Sequence, residues 1–235
     1  MRFGEKASEY ATHAFVQRDL VEWGSQWLPD LLTGKDVLEL GAGPGLLTRE
    51  LLARRGNVWA TDLAPAMVKT GSIQWPQAHW QVMDAWQAQG AYDFIASSAL
   101  MQWAPDPVAV LMRQAQALRS GGRMFHLLFI DPTLCEFRQL APQWNPFTWR
   151  TQEQWEQACD QAGLELCRSE SVSHRIIFSS ARELLRFFQR TGAVGGKRAR
   201  PGELRRFLRV YAERFAEAEG VVSTWSFLCL EARKP

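Results

Sequence analysis

Residues 36–50 read DVLELGAGPGLLTRE, an apolar strand-like run that breaks into three glycines, Gly41, Gly43 and Gly45, and resumes with the spacing of a helix. A strand, a glycine turn and a helix in succession let the main chain approach a ligand closely and present helix N-terminal N–H groups to it. The glycines are spaced G-x-G-x-G, and the position where the dinucleotide fingerprint G-x-G-x-x-G places its third glycine or alanine is Leu46. Glu39 stands two residues before Gly41, where its carboxylate would repel a pyrophosphate and suit a ligand with an ammonium group.

Outward from this turn, short apolar runs alternate with longer stretches of helical spacing, which is the pattern of an α/β sheet. Strands are expected at 36–40, 58–61, 80–84, 93–98 and 123–129. Helices at about 46–54, 65–72 and 106–119 lie between them, long enough for right-handed crossovers between parallel strands. Asp62 with Pro65, and Asp106 with Pro107, read as helix starts, and Gly121 with Gly122 as the stop of the third helix. Ahead of the sheet, SEYATHAFVQRDLVEWGSQWL (8–28) has the spacing of a helical lid, with Tyr10, Ala14, Gln17, Val21 and Trp27 among its inward positions.

Beyond residue 130 the pattern changes. IDPTLCEFRQLAPQWNPFTWRT (130–151) is rich in aromatics and prolines, with a helix expected at TLCEFRQL. A helix at about 152–162 and a strand at about 164–177 follow; helices at about 180–190 and 202–217 flank TGAVGGKRARPG, and the strand VVSTWSFLCLEA (221–232) comes last. Two late strands with helices between them suggest a hairpin-like end to the sheet, with a cap.

Asp62 ends the second strand about twenty residues past the glycine turn, where a carboxylate can accept both hydroxyl hydrogens of an adenosine ribose. Asp84 ends the third strand beside Ala85. ELGAGPG, TDLAPAMV, VMDAW and SSALMQWAPDP, arriving in this order at strand ends, resemble the class I S-adenosylmethionine-dependent methyltransferases. The resemblance implies a Rossmann-like α/β fold, mostly parallel with an antiparallel last strand, plus a helical cap. It implies one domain, 1–235, with a lid at 1–30, a cofactor-binding core at 36–130 and cap insertions at 130–150 and 180–217. It implies that Gly41, Gly43 and Gly45 contact the methionine part of S-adenosylmethionine, Asp62 the ribose, Leu63 and Met67 the adenine face, and Asp84 with Ala85 the adenine amino group. Glu39 would orient the methionine ammonium through water, and Ser98 joins the cofactor contacts.

ALMQW followed by PDP, the spacing Phe3, Tyr10, Gln17, and the run from Glu183 to Lys234 narrow the likeness to small-molecule carboxyl methyltransferases. These include the malonyl-acyl-carrier-protein O-methyltransferases of biotin synthesis and the trans-aconitate methyltransferases, with the biotin group favoured. A small free acid as acceptor stays open, and so does a non-catalytic protein that binds S-adenosylmethionine and recruits a partner. A carboxylate is ionised at neutral pH and attacks a sulfonium methyl without a general base. Tyr10, Gln17, Gln102 and Trp103 are the residues expected around the reacting groups, with Arg138, Arg150, Arg175 or Arg186 as the cation for the substrate carboxylate.

At 235 residues the chain can bury a sizeable core. Its net charge of +2 is unevenly spread: between Arg182 and Arg214, ten arginines and lysines face only three glutamates. Lys197, Arg198, Arg200, Arg205, Arg206 and Arg209 form an expected docking rim for an acidic carrier protein. Nucleic acid is not the expected partner, since neither an N-P-P-Y motif nor an appended RNA-binding module is present. Cys135, Cys159, Cys167 and Cys229 have no metal-like spacing with the four histidines and read as free buried thiols. No apolar run approaches a membrane span and the first residues carry no signal-peptide pattern, so a soluble, cytoplasmic monomer without metal is expected. Eleven tryptophans suggest an aromatic-rich core or an aromatic-lined cavity.

Overall fold

The computed structural model describes residues 15–191 and 200–235. Tyr10, Lys197 and Arg198 lie outside the described residues.

Among the described residues eight strands form one sheet: β1 (Asp36–Leu40), β2 (Asn57–Asp62), β3 (His79–Val82), β4 (Tyr92–Ser98), β5 (Leu118–Ile130), β6 (Glu165–Phe178), the two-residue β7 (Ala216–Glu217) and β8 (Gly220–Arg233). Their order is β3-β2-β1-β4-β5-β8-β6, with β7 paired to the start of β8. The first five strands pair in parallel, while β8 runs antiparallel to both β5 and β6. The expected Rossmann-like sheet with an antiparallel last strand is present, and that strand lies inside the sheet, one place in from the edge.

Period-two alternation separates two apolar layers. Val37, Phe94, Phe125, Leu127, Phe129, Trp225 and Phe227 face one layer. This layer is covered by α1 (Phe15–Gly24), α2 (Leu46–Ala53), α7 (Ala181–Thr191) and α8 (Pro201–Arg214). Leu38, Leu40, Ile95, Met124, Leu128, Leu228 and Leu230 face the other, which takes α4 (Pro107–Ala117) and α6 (Gln152–Gln161). The remaining helices are α3 (Pro65–Gln74), after β2, and α5 (Cys135–Leu140), after β5.

Several expected boundaries move for local reasons. The Asp106 carboxylate caps α4 by accepting the Ala109 N–H at 3.1 Å, with Pro107 in the first turn. That helix ends at Ala117, and Gly121 and Gly122 lie inside β5. There a register shift opposite Tyr92 and Phe94 absorbs the extra residues, and Gly121 takes φ +72°. Strand β3 ends at Val82, so Asp84 begins a short turn instead, accepting the Trp86 N–H at 2.9 Å. The residue capping α3 is Ala64, and the Asp62 carboxylate holds its N–H. All four cysteines are free; Cys159 and Cys229 are buried, but Cys167 is exposed and Cys135 half-buried.

Candidate active site

The parallel strands β1, β2 and β4 end on one edge of the sheet, and strand order reverses between β1 and β4, which opens a crevice there. The crevice holds a cavity of about 370 Å³. Its walls are Gly41 and Gly43 after β1, Asp62 and Leu63 at the end of β2, Met67 of α3, Asp84, Ala85 and Trp86 after β3, and Ser98, Ala99, Leu100 and Trp103 at the end of β4.

The glycine turn is shaped for close approach. Gly43 has φ +56°, and a Cβ built on it meets nothing within 4 Å, so its missing side chain leaves open space at the cavity wall. The Asp62 carboxylate fixes this turn by accepting the N–H of Gly43 at 2.9 Å and of Ala64 at 2.8 Å. Burial pushes the Asp62 carboxyl above its ordinary range, and those two N–H groups work in the opposite direction. Gly45 does not line the cavity. It caps α2 at φ +97°, where a Cβ would lie 2.3 Å from the Trp75 ring; its smallness is used for packing.

Behind the turn is a recess of about 30 Å³ lined by Gln17, Glu39, Gly41, Gly43, Leu46 and Ser98, among others. Glu39 is 1% exposed and accepts the Thr48 hydroxyl from α2. Burial pushes its carboxyl up to about 8, with nearby Asp62 adding to the shift and the Thr48 bond opposing it. The Gln17 side-chain oxygen is buried without a hydrogen-bond partner among the described residues. Among the described residues the recess offers the Glu39 carboxyl, the Gln17 amide oxygen and the Ser98 hydroxyl as acceptors and no cation, which fits a ligand ammonium and disfavours a phosphate. Open space over Gly43 and acceptors behind it fit the amino-acid end of S-adenosylmethionine.

Comparison with known proteins agrees. Residues 11–193 match the family model described as "Methyltransferase domain". The chain belongs to this family of S-adenosylmethionine-dependent methyltransferases. The biotin biosynthesis bifunctional protein BioHC of Cellvibrio japonicus is 31% identical over 211 residues, 86% of this chain and 41% of that protein. The chain therefore spans about two fifths of that relative's length. The malonyl-[acyl-carrier protein] O-methyltransferase of a Paenibacillus species is 26% identical, covering 96% of this chain and 94% of that one. Among solved structures, the YcgJ protein of a Bacillus species superimposes with a TM-score of 0.69 at 12% identity, over 92% of this chain and 98% of that one. At that identity the likeness speaks for the fold.

The methyltransferase brings most of its expected site residues to one crevice. Gly41, Gly43, Asp62, Leu63, Met67, Asp84, Ala85, Ser98 and Trp103 line the cavity, and Glu39 and Gln17 line the recess behind it. Gln102 is displaced from the expected position: it is 7% exposed, absent from the cavity wall, and its amide donates to the Ala99 carbonyl at 2.7 Å. Leu100, Trp86 and Thr48 join the site although the sequence reading did not single them out. All three fall inside quoted stretches, but nothing local marked them, and Thr48 matters only because α2 folds back over β1. Arg200, Arg205, Arg206 and Arg209 are exposed at and along α8. The opposite side of that helix buries Phe207 against Phe137 and Trp144, each at 5.3 Å between ring centroids. Among the described residues no helix is long and apolar enough to cross a membrane, and no group of three His, Cys, Asp or Glu side chains could hold a metal ion.

Proposed function

We propose that this methyltransferase esterifies the free carboxylate of a malonyl group carried as a thioester on an acyl-carrier protein, an early step of biotin (pimeloyl) synthesis. The names of the two relatives above support the reading. The structural observation that carries it is the lack of a base: Asp62 and Asp84 are the only titratable side chains among the described residues of the cavity wall, and both already accept main-chain N–H bonds. A hydroxyl acceptor would need its proton removed, whereas a carboxylate is already an anion at neutral pH.

S-adenosylmethionine supplies an electrophilic methyl group on a sulfonium. Asp62 has oxygen lone pairs left for the ribose hydroxyls, Leu63 and Met67 flank the adenine, and Asp84 with the Ala85 main chain reads its amino group. Gly41 and Gly43 admit the methionine chain, while Glu39 and Gln17 accept its ammonium hydrogens and Ser98 contacts the same end. Trp103 walls the acceptor side and excludes water, so that catalysis is mainly positioning.

Of the four arginines expected to grip the substrate, Arg138 pairs with Asp131, Arg175 with Glu217 and Arg186 with Glu183. The Arg150 guanidinium donates to the main-chain carbonyls of Thr148 and Pro105 and stands over the Trp155 ring at 5.8 Å. The Asp106 charge is nearby, but Arg150 makes no ion pair within 4 Å among the described residues, which favours it as the cation for the carboxylate. The segment between β5 and α6 joins the basic helix to the cavity: Trp144 packs on Phe207 of α8, and Phe147 lies 4.1 Å from Trp103. This arrangement supports docking of an acidic carrier on Lys197, Arg198, Arg200, Arg205, Arg206 and Arg209, with its thioester arm passing over the aromatic segment.

The direct test is growth without biotin of a strain lacking its own malonyl-carrier methyltransferase, once supplied with this chain. Turnover on trans-aconitate exceeding turnover on the malonyl-carrier would reverse the assignment. Replacing Arg205, Arg206 and Arg209 by Glu raises KM for the carrier-bound substrate and spares a small malonyl thioester; equal effects on both remove the docking rim.

A further inference from the structure

One buried chain of hydrogen bonds lies outside every contact used so far. Ser97 of β4 and His126 of β5 are direct register partners, so their side chains stand together on the sheet face beneath α4. The Ser97 hydroxyl lies 2.8 Å from His126 Nδ1, and His126 Nε2 lies 2.9 Å from Gln114 Oε1 of α4. The Gln114 amide then donates to Met101 Sδ at 3.5 Å. Ser97, Met101, Gln114 and His126 each have 0% exposure.

The chemistry fixes who donates. Gln114 Oε1 can only accept, so His126 carries a proton on Nε2; with the ring neutral, Nδ1 accepts the Ser97 hydroxyl hydrogen. Burial alone holds the imidazole in this state, pushing its pKa down to about 3. Each of the three bonds therefore has one orientation.

The two ends of the chain matter most. Ser97 immediately precedes Ser98, and Met101 opens the single turn that ends at Trp103, so the chain grips both ends of the loop that supplies Ser98, Ala99, Leu100 and Trp103 to the cavity wall. Within that loop Ala99 sits at φ +52°, an unfavourable conformation for a residue with a side chain, and the Gln102 amide holds its carbonyl. A loop in such a conformation keeps it only where its surroundings over-determine it.

We propose that Ser97, His126 and Gln114 are positioning residues for methyl transfer: they hold the loop after β4 in register so that Trp103 and Ala99 present the acceptor to the methyl group. They touch neither cofactor nor substrate. The glycine turn, Asp62, Met67 and Asp84 supply most of the cofactor side of the cavity and lie outside this loop, so the loss falls on turnover far more than on cofactor affinity.

The experiment compares His126→Leu, Ser97→Ala and Gln114→Leu with Phe125→Leu, a control at the neighbouring, fully buried position on the opposite sheet face. Methyl transfer to a malonyl-carrier thioester and the Kd for S-adenosylhomocysteine are measured for each. All four variants lose thermal stability. The three chain variants lose tenfold or more in kcat with Kd within twofold of the parent, and Phe125→Leu retains kcat within twofold. The Ser97→Ala/His126→Leu double variant is no slower than His126→Leu alone, because both break one chain. Equal kcat losses in the control and the chain variants, or a Kd that rises as much as kcat falls, overturn the proposal. If His126→Leu fails to fold, Ser97→Ala and Gln114→Leu carry the same comparison. If the parent transfers no methyl to this substrate, the malonyl assignment fails and the positioning role is read from fluorotryptophan at Trp103 in the S-adenosylhomocysteine complex. A single sharp resonance that broadens or splits in the chain variants only supports the role, and an unchanged resonance overturns it.

Discussion

Glu39 makes cofactor affinity depend on pH with a defined sign. Its carboxyl is buried beneath α2, and burial, with Asp62 close by, pushes it up to about 8. At pH 7 only about a tenth of it is ionised, and removing the proton takes about 1.4 kcal/mol. If the ligand ammonium binds the carboxylate form, each unit of pH below 8 weakens binding by up to about tenfold, so affinity rises by up to about 100-fold between pH 5.5 and 7.5. Titration calorimetry with S-adenosylhomocysteine, in two buffers of different ionisation enthalpy, should show this rise and the release of up to one proton per site. The Glu39→Gln protein should bind more weakly at pH 7.5, show no such slope and release no proton. The same slope in both proteins, or proton uptake on binding, would mean that Glu39 is not the group linked to the ligand ammonium. The free protein carries the reverse imprint: because the folded-state pKa is raised, this group's contribution to stability is fully present below the unfolded value near 4.5 and is lost as pH rises through about 8.

Other outcomes follow from single positions. Gly45→Ala puts a Cβ against Trp75 at a positive φ; it should destabilise by about 2–4 kcal/mol, lowering Tm by about 5–10 °C in a calorimetric scan. Gly43→Ala meets no clash but fills the open space beside the turn; its Kd for S-adenosylhomocysteine should rise at least tenfold, by about 1.4 kcal/mol or more, with a Tm loss of only a few degrees. His126 has its folded pKa pushed down to about 3, so its contribution to stability is present above about 6.5 and lost as pH falls toward 3, of the order of 5 kcal/mol in all. Urea titrations of His126→Leu between those pH values should lack this part of the acid slope.

What could be read from the sequence follows the range over which its signals act. The glycine turn, Asp62 and Asp84 declare themselves locally, because each sits at or just past a strand end, and short apolar runs marked the strands around them. Gln102 misled because a glutamine beside a wall residue looks like a wall residue; only the fold of its own turn sends the amide back to Ala99. Gly45 misled because three glycines look alike, while the Trp75 ring that demands the third comes from the far end of α3. The link between Ser97 and Met101 through His126 was invisible because it is tertiary: β4, α4 and β5 must pack against one another before these four buried side chains meet.

The place of β8 has a consequence for how the chain comes to its native state. Among the described residues β6 pairs with no strand other than β8, and the helices α7 and α8 lie in the chain between those two. During synthesis β6 therefore emerges long before it has anything to pair with, and β5 stays open along one side for the same time. Both edges can close only once β8 is available, and its pairing brings the two intervening helices to the aromatic layer. A ribosome stalled within β8 would hold a chain with a completed glycine turn and an unfinished cap, exposing two adhesive edges to whatever lies near.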